Sequence, residues 1–123
     1  MMSQHAGARD GLHLNVARGV DMMGSEAALR KILVTVLASM SADVPAIAAA
    51  LQAGDVATAN RLLHAIKGYM PIFGSDALVS QVTEVEKLSK TAAAEAVQLP
   101  YQALEPELRQ LLAEIHVFLN PDQ

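Results

Sequence analysis

The chain has 123 residues, of which 52% are hydrophobic and 3% aromatic, and its formal net charge is −4. This length suits one domain with its own core, and the absence of cysteine excludes disulfides, thiolate metal sites and cysteine nucleophiles. The negative charge gives no support to nucleic-acid binding, and the longest strongly apolar run, 32–38, is far shorter than the ~18 residues that cross a bilayer.

The first ten residues, MMSQHAGARD, lack the basic-then-apolar order of a secretion signal. We therefore expect a soluble cytoplasmic protein. Residues 1–10 are predicted to be a mobile lead-in, and residues 11–120 a single helical domain.

The first half of the domain predicts a short helix and then a long one. Residues 12–23 could form the short helix, and Ser25 is a suitable N-cap for the next. An apolar stripe with helical spacing then runs from Leu29 to Met40 and resumes from Val44 to Leu51. Pro45 interrupts the pattern, so the segment is either one kinked helix or two helices.

The second half predicts three more segments of helix. Asp55 and Ser75 are suitable N-caps for helices over 55–74 and from 76 onward. Residues 91–99 are interpreted as a looser connection, after which Pro100 and Pro106 suit helix starts. Together the segments predict an all-α fold, an antiparallel four-helix bundle with a short additional N-terminal helix.

A histidine and a lysine share one face of the helix predicted over 55–74. His64, Lys67, Gly68 and Pro71 lie at i, i+3, i+4 and i+7, on the side opposite the apolar residues. Two further polar residues, Asn60 and Arg61, extend this face toward the N-terminus. An exposed glycine inside a helix costs ~1 kcal/mol relative to alanine, which is understandable if another molecule must approach the backbone there.

The same residues suit the chemistry of a phosphoryl group. An imidazole with a pKa near ~6.5 is largely neutral at pH 7, so His64 can attack phosphorus without a dedicated base. The product would carry negative charge within reach of Lys67. Because no second carboxylate or nucleophile is predicted to converge here, the pattern favours a phosphotransfer intermediate over an enzyme that turns over a substrate alone.

The segment resembles the signature of histidine-containing phosphotransfer (HPt) domains. His-x-x-Lys-Gly is followed by a glycine ten residues after the histidine and a leucine four later, here Gly74 and Leu78. An acidic residue is also common near Glu86, and the run DVATANRLLH resembles the usual approach from an Asp N-cap to the histidine. The similarity covers roughly residues 12–90.

The resemblance implies a phosphocarrier of two-component phosphorelays. His64 would accept a phosphoryl group from the aspartate of a response-regulator receiver domain and pass it to another receiver. Lys67 would stabilise the phosphoryl group, while Gly68 and Arg61 would contribute to receiver docking. The partners implied are receivers and possibly a hybrid sensor kinase, with no cofactor on this chain, a divalent metal on the receiver, no membrane and a monomeric state.

The turn after Lys67-Gly68 departs from the family pattern, which usually has small or polar residues there. Tyr69 is bulky and is predicted at the edge of the docking surface, to which Asn60 on the histidine face is also predicted to contribute. Pro71 lacks an N–H and is predicted to kink the helix just after Lys67, which would alter the docking surface. These departures motivate an alternative, an HPt-like interaction module that binds a receiver or kinase without carrying phosphate.

The remaining polar residues predict no second site. His5 and His13 are placed in or near the loose start, and His116 has no paired ligand pattern, so no metal site is expected. Four charged residues of the next helix are interpreted as a solvated face rather than a catalytic cluster; they are Glu84, Glu86, Lys87 and Lys90.

Overall fold

The structure, a computed structural model, describes residues 11–122 and contains five helices within them. The predicted lead-in, residues 1–10, lies outside this range, as does His5. In chain order the helices are α1 (Val16–Met23), α2 (Glu26–Gln52), α3 (Val56–Phe73), α4 (Asp76–Ser89) and α5 (Ala94–Leu119). The predicted all-α fold is therefore confirmed.

The four long helices form a closed ring around one apolar core. Helix α2 packs against α3 and α5, and α4 also packs against α3 and α5, so that α3 and α5 are diagonal to each other. The short connections 53–55, 74–75 and 90–93 reverse the chain direction between successive helices, which makes neighbours antiparallel. Helix α1 lies across α2 and α3.

Side-chain caps begin the helices where the sequence predicts them. The side chains of Ser25, Asp55 and Ser75 accept hydrogen bonds from the backbone N–H groups three residues later, at the starts of α2, α3 and α4. These bonds satisfy backbone donors that have no partner inside the helix. The cap of α1, Asn15, makes the same bond with Arg18.

The prolines inside α2 and α5 neither divide a helix nor start one. Helix α2 continues through Pro45, so the segment is one helix rather than two. The prediction that Pro100 and Pro106 start helices is wrong, because α5 begins at Ala94 and includes both. The looser connection predicted over 91–99 is correspondingly limited to 90–93. The buried stripe of α5 runs across both prolines, and its packing outweighs the local loss of backbone hydrogen bonds.

The end of α3 is fixed by the segment that precedes α1. Leu14 and Gly74 form an isolated antiparallel bridge, in which the Asn15 N–H donates to the Phe73 carbonyl at 2.7 Å. The Ser75 N–H donates to the His13 carbonyl, also at 2.7 Å. A side chain at Gly74 would place its Cβ 2.7 Å from the sulfur of Met70, so this close approach requires glycine. The predicted helix end at Gly74 is confirmed.

Among residues 11–122, one helix has the length and composition of a membrane span. Helix α2 contains an 18-residue window of mean hydropathy 1.8, although its longest unbroken apolar run is short. This is weak evidence, because core helices of soluble proteins have the same character. In this fold α2 contributes a stripe of buried residues to the core and packs against three other helices.

Candidate functional site

Helix α3 has a buried side and an exposed side. Ala59, Leu63, Ile66, Met70 and Phe73 are buried. Along the opposite side, Arg61, His64, Gly68 and Pro71 are exposed, as the helical spacing predicts. The exposed side therefore presents a histidine and a glycine one turn apart.

The His64 imidazole is anchored on one edge and open on the other. Its side chain is 66% exposed, and Nδ1 lies 3.3 Å from Oε2 of Glu86 on α4. An ionised carboxylate can only accept hydrogen bonds, so Nδ1 carries the proton and its N–H donates a hydrogen bond to Glu86. The lone pair of the neutral ring is then on Nε2, the nitrogen free to act as a nucleophile.

Glu86 is the centre of the site, although the sequence analysis placed it on a solvated face. That prediction is wrong, because the Glu86 side chain is 0% exposed. Its Oε1 accepts a hydrogen bond from Lys67 Nζ at 3.1 Å and lies 3.6 Å from Lys90 Nζ. A carboxylate thus does converge on His64, contrary to the expectation that none would.

The surroundings of Glu86 keep it ionised. Burial alone would raise the pKa of this carboxyl, because a charged group is disfavoured away from water. The hydrogen bonds from Lys67 and His64, together with the positive charges of Lys67 and Lys90, outweigh burial and lower the pKa below its ordinary value. Glu86 therefore acts as a fixed anion that orients one imidazole and two ammonium groups.

Asn60 supports Glu86 instead of lying free on the surface. It is half-buried, and its Nδ2 donates to Ser89 Oγ at 2.8 Å and to Glu86 Oε2 at 3.3 Å. The buried Ser89 hydroxyl in turn donates to the Glu86 carbonyl at 2.6 Å. These bonds join α3 to the last turn of α4, so they fix the position of Glu86 relative to His64.

The backbone beside His64 is uncovered at Gly68. A Cβ built at this position finds no heavy atom within 4 Å outside the helix's own backbone. Packing therefore does not require glycine there, in contrast to Gly74. The absence of a side chain leaves space over the helix next to the imidazole.

Tyr69 lies mostly beneath the exposed side of α3. The side chain is half-buried, and its ring stacks on Phe73 with centroids 5.9 Å apart. The hydroxyl is buried and has no hydrogen-bond partner among residues 11–122. Burial and, to a lesser degree, the charge of Asp43 raise the pKa of Tyr69 above its ordinary value.

Pro71 lies inside α3 without ending it. The helix continues through the proline to Phe73, and the proline ring is exposed on the same side as His64. Pro71, Gly68 and Arg61 therefore share the surface around the histidine, which we call the His64 face.

His13 has a structural environment that the sequence analysis missed. It was placed in or near the loose start, but its ring is buried, with Nε2 at 2.7 Å from Glu107 Oε1 and Nδ1 at 3.2 Å from Ser75 Oγ. Glu114 accepts hydrogen bonds from the N–H groups of His13 and Leu14. These contacts fix the start of the described chain against α4 and α5.

Within residues 11–122 the structure brings together no group of three or more histidine, aspartate or glutamate side chains that could hold a metal ion. The polar side chains of the His64 site instead pair with one another through Glu86. In chemical terms, the site offers an exposed nucleophilic nitrogen with a buried anion behind it and ammonium groups beside it.

The sequence matches one known protein family. The family model described as Hpt domain matches residues 31–117, which include the whole site. Searches of curated proteins and of solved structures gave no match. The matched range covers most of the chain and contains His64, Lys67, Gly68 and Gly74. The chain therefore belongs to the Hpt domain family, whose members are histidine phosphotransfer modules of two-component signalling.

Proposed function

We propose that this protein is a phosphocarrier whose His64 accepts a phosphoryl group from the aspartate of one receiver domain and passes it to another. The observation that carries the proposal is the exposed imidazole whose Nδ1 donates to the buried carboxylate of Glu86. This arrangement directs the nucleophilic Nε2 outward, where the phosphorylated aspartate of a receiver domain can reach it.

The transfer step can be written from these contacts. The Nε2 lone pair attacks phosphorus, the P–N bond forms, and the P–O bond to the receiver's aspartate breaks with its electron pair left on the aspartate carboxylate. The ring gains a positive charge while Nδ1 keeps its proton, and the ionised Glu86 at 3.3 Å balances that charge. Attack by the aspartate of a second receiver reverses the step and restores the neutral ring.

Lys67 supports the phosphorylated state. Its ammonium group is 3.1 Å from Glu86, and its side chain is 33% exposed, so it lies between the buried anion and the solvent at the surface. A phosphoryl group on His64 would bring new negative charge to the same side of α3. Lys67 can then donate to both anions, since an ammonium group has three N–H bonds.

The rest of the transition-state stabilisation is assigned to the partner. We propose that the receiver holds the divalent metal and that this chain needs no cofactor of its own. Arg61, Gly68 and Pro71 would contact the receiver around His64. Because the phosphoryl group must be handed on, the complex should be transient, with a buried area at or below ~1,200 Å².

The decisive experiment uses a phosphorylated receiver domain. Incubation with the protein should transfer an acid-labile, base-stable phosphate, and His64→Gln should accept none. His116→Gln, a change at an exposed histidine of α5, is the matched control and should be labelled like the unmodified protein. Equal labelling of the His64→Gln variant would refute the assignment.

The alternative is an interaction module of the same fold that binds a receiver or kinase without carrying phosphate. The observation that favours it is the replacement of the family's small turn residues by Tyr69 and Pro71 beside the histidine. Binding and phosphoryl-transfer measurements distinguish the two functions. Binding that survives His64→Ala, together with no phosphoryl transfer to the unmodified protein from any receiver, would support the module.

A further inference from the structure

The carbonyl group of Lys67 lacks its normal helical partner. In an α-helix each carbonyl accepts a hydrogen bond from the N–H four residues later, and here that residue is Pro71, which has no N–H. Three residues later the helical bond is present, since the Gly74 N–H donates to the Met70 carbonyl at 2.7 Å. The α-helix continues through Pro71 to Phe73, so the missing donor does not end it.

This acceptor lies on the His64 face. Pro71 and His64 are seven residues apart, two turns along one side of α3, and both are exposed. Gly68, the residue after Lys67, is also exposed and offers open space where a side chain would lie. A molecule that contacts His64 can therefore reach the Lys67 carbonyl without displacing a side chain at Gly68.

Charge favours a neutral donor over a cationic one. Beside this turn of α3, the ammonium groups of Lys67 and Lys90 lie 3.1 and 3.6 Å from the carboxylate of Glu86. Before His64 is phosphorylated, the two cations outnumber this single anion, so an incoming lysine or arginine would meet positive charge. Asparagine, glutamine, serine and threonine side chains, or a backbone N–H, carry hydrogen-bond donors without this repulsion.

We propose that the Lys67 carbonyl is a specificity determinant, an acceptor that receives a hydrogen bond from a neutral donor of the docked receiver domain. This inference rests on the proposed phosphocarrier function and adds a recognition contact to it. Receivers with such a donor opposite the Lys67 carbonyl would be preferred over those without one. Pro71 acts through the backbone of Lys67, and its role is to keep the acceptor available.

Pro71→Ala tests the proposal, because alanine supplies the N–H that occupies the Lys67 carbonyl. Each variant is loaded with phosphoramidate, a small phosphoryl donor that needs no protein surface, and transfer to a panel of purified receivers is then measured. We expect kcat/KM to fall about fivefold for the preferred receiver, the equivalent of one hydrogen bond of ~1 kcal/mol. Pro106→Ala, which makes the same change at an exposed proline on the diagonal helix α5, should leave transfer unchanged.

A double-mutant cycle identifies the donor. Neutral donors on the docking surface of the preferred receiver are replaced one at a time, and each replacement is combined with Pro71→Ala. One replacement should slow transfer about fivefold with the unmodified protein and have no further effect with the variant. Independent effects at every position, or a Pro71→Ala profile identical to the unmodified one, would overturn the inference. Failure of the unmodified protein to transfer to any receiver would instead refute the phosphocarrier function.

Discussion

Replacement of Glu86 by glutamine tests whether the buried charge of Glu86 makes a net contribution to the stability of the fold. The glutamine amide has nearly the same shape, but only its oxygen can accept hydrogen bonds. In the structure one carboxylate oxygen accepts from Lys67, and the other accepts from His64 and Asn60. The amide nitrogen would therefore face a donor on either side, Lys67 on one and Asn60 and His64 on the other.

The size of the effect follows from two opposed energies. At the 3.1 Å separation of Lys67 Nζ and Glu86 Oε1, Coulomb's law gives about 1 kcal/mol for a water-like medium and about 5 kcal/mol at an effective dielectric of ~20. Removal of the carboxylate from water opposes this attraction by several kcal/mol. The pKa of Glu86 is lowered despite its burial, so the attraction is the larger. We expect the free energy of unfolding of the Glu86→Gln variant to be lower by about 1–2 kcal/mol at pH 7.

The loss should depend on pH in a defined direction. A carboxyl whose folded-state pKa is lowered stabilises the protein above its unfolded pKa, and this contribution disappears as the pH falls through the folded pKa. For Glu86 the ordinary value is 4.5, so the difference between the two proteins should be full at pH 7 and decrease below about pH 5 as Glu86 becomes protonated.

Urea denaturation of both proteins from pH 7 to pH 3 measures this difference. Glu84→Gln, two residues earlier on α4 and exposed, is the matched control, and its stability should stay within about 0.5 kcal/mol of the unmodified protein. A Glu86→Gln variant as stable as the unmodified protein at pH 7, or a loss that does not change with pH, would refute the argument that pairing outweighs burial.

Two further predictions concern neighbouring residues of α3. Gly68→Ala should raise the free energy of unfolding by about 1 kcal/mol, because space is open for the methyl group. The same change should slow transfer from receivers to His64. Faster transfer with higher stability would contradict the role given to Gly68. Tyr69→Phe removes a buried hydroxyl without a partner and should be neutral or stabilising, whereas Tyr101→Phe removes a 2.6 Å bond to the Val44 carbonyl and should lower stability by about 1 kcal/mol. Denaturation measures both tyrosine variants, and equal losses would contradict this contrast.

Local patterns were sufficient to predict the helices and the exposed histidine. The caps Ser25, Asp55 and Ser75 and the helix end at Gly74 depend on residues within a few positions of one another, and each is confirmed. The two faces of α3 follow from helical spacing in the same way. The prolines of α5 were misinterpreted because the burial that overrides their local preference comes from other helices.

The environments of Glu86 and His13 could be recognised only from the tertiary structure. Glu86 lies four residues after Val82 and directly after Val85, both buried, and this position on the apolar stripe of α4 was the available signal. Its charge suggested a solvated face, and the cations that make burial tolerable belong partly to α3. His13 pairs with Glu107, 94 residues away in sequence, and no local pattern predicts such a contact.

If His64 carries a phosphoryl group, as we propose, its exposure would shorten the time for which that group is held. With 66% of the side chain in solvent, water reaches the same atoms that a partner must reach, and Gly68 leaves the adjacent backbone uncovered. Hydrolysis and relay would then compete for every phosphorylated molecule. The share that reaches the next receiver would depend on the encounter rate, and thus on the concentration of that receiver in the cell.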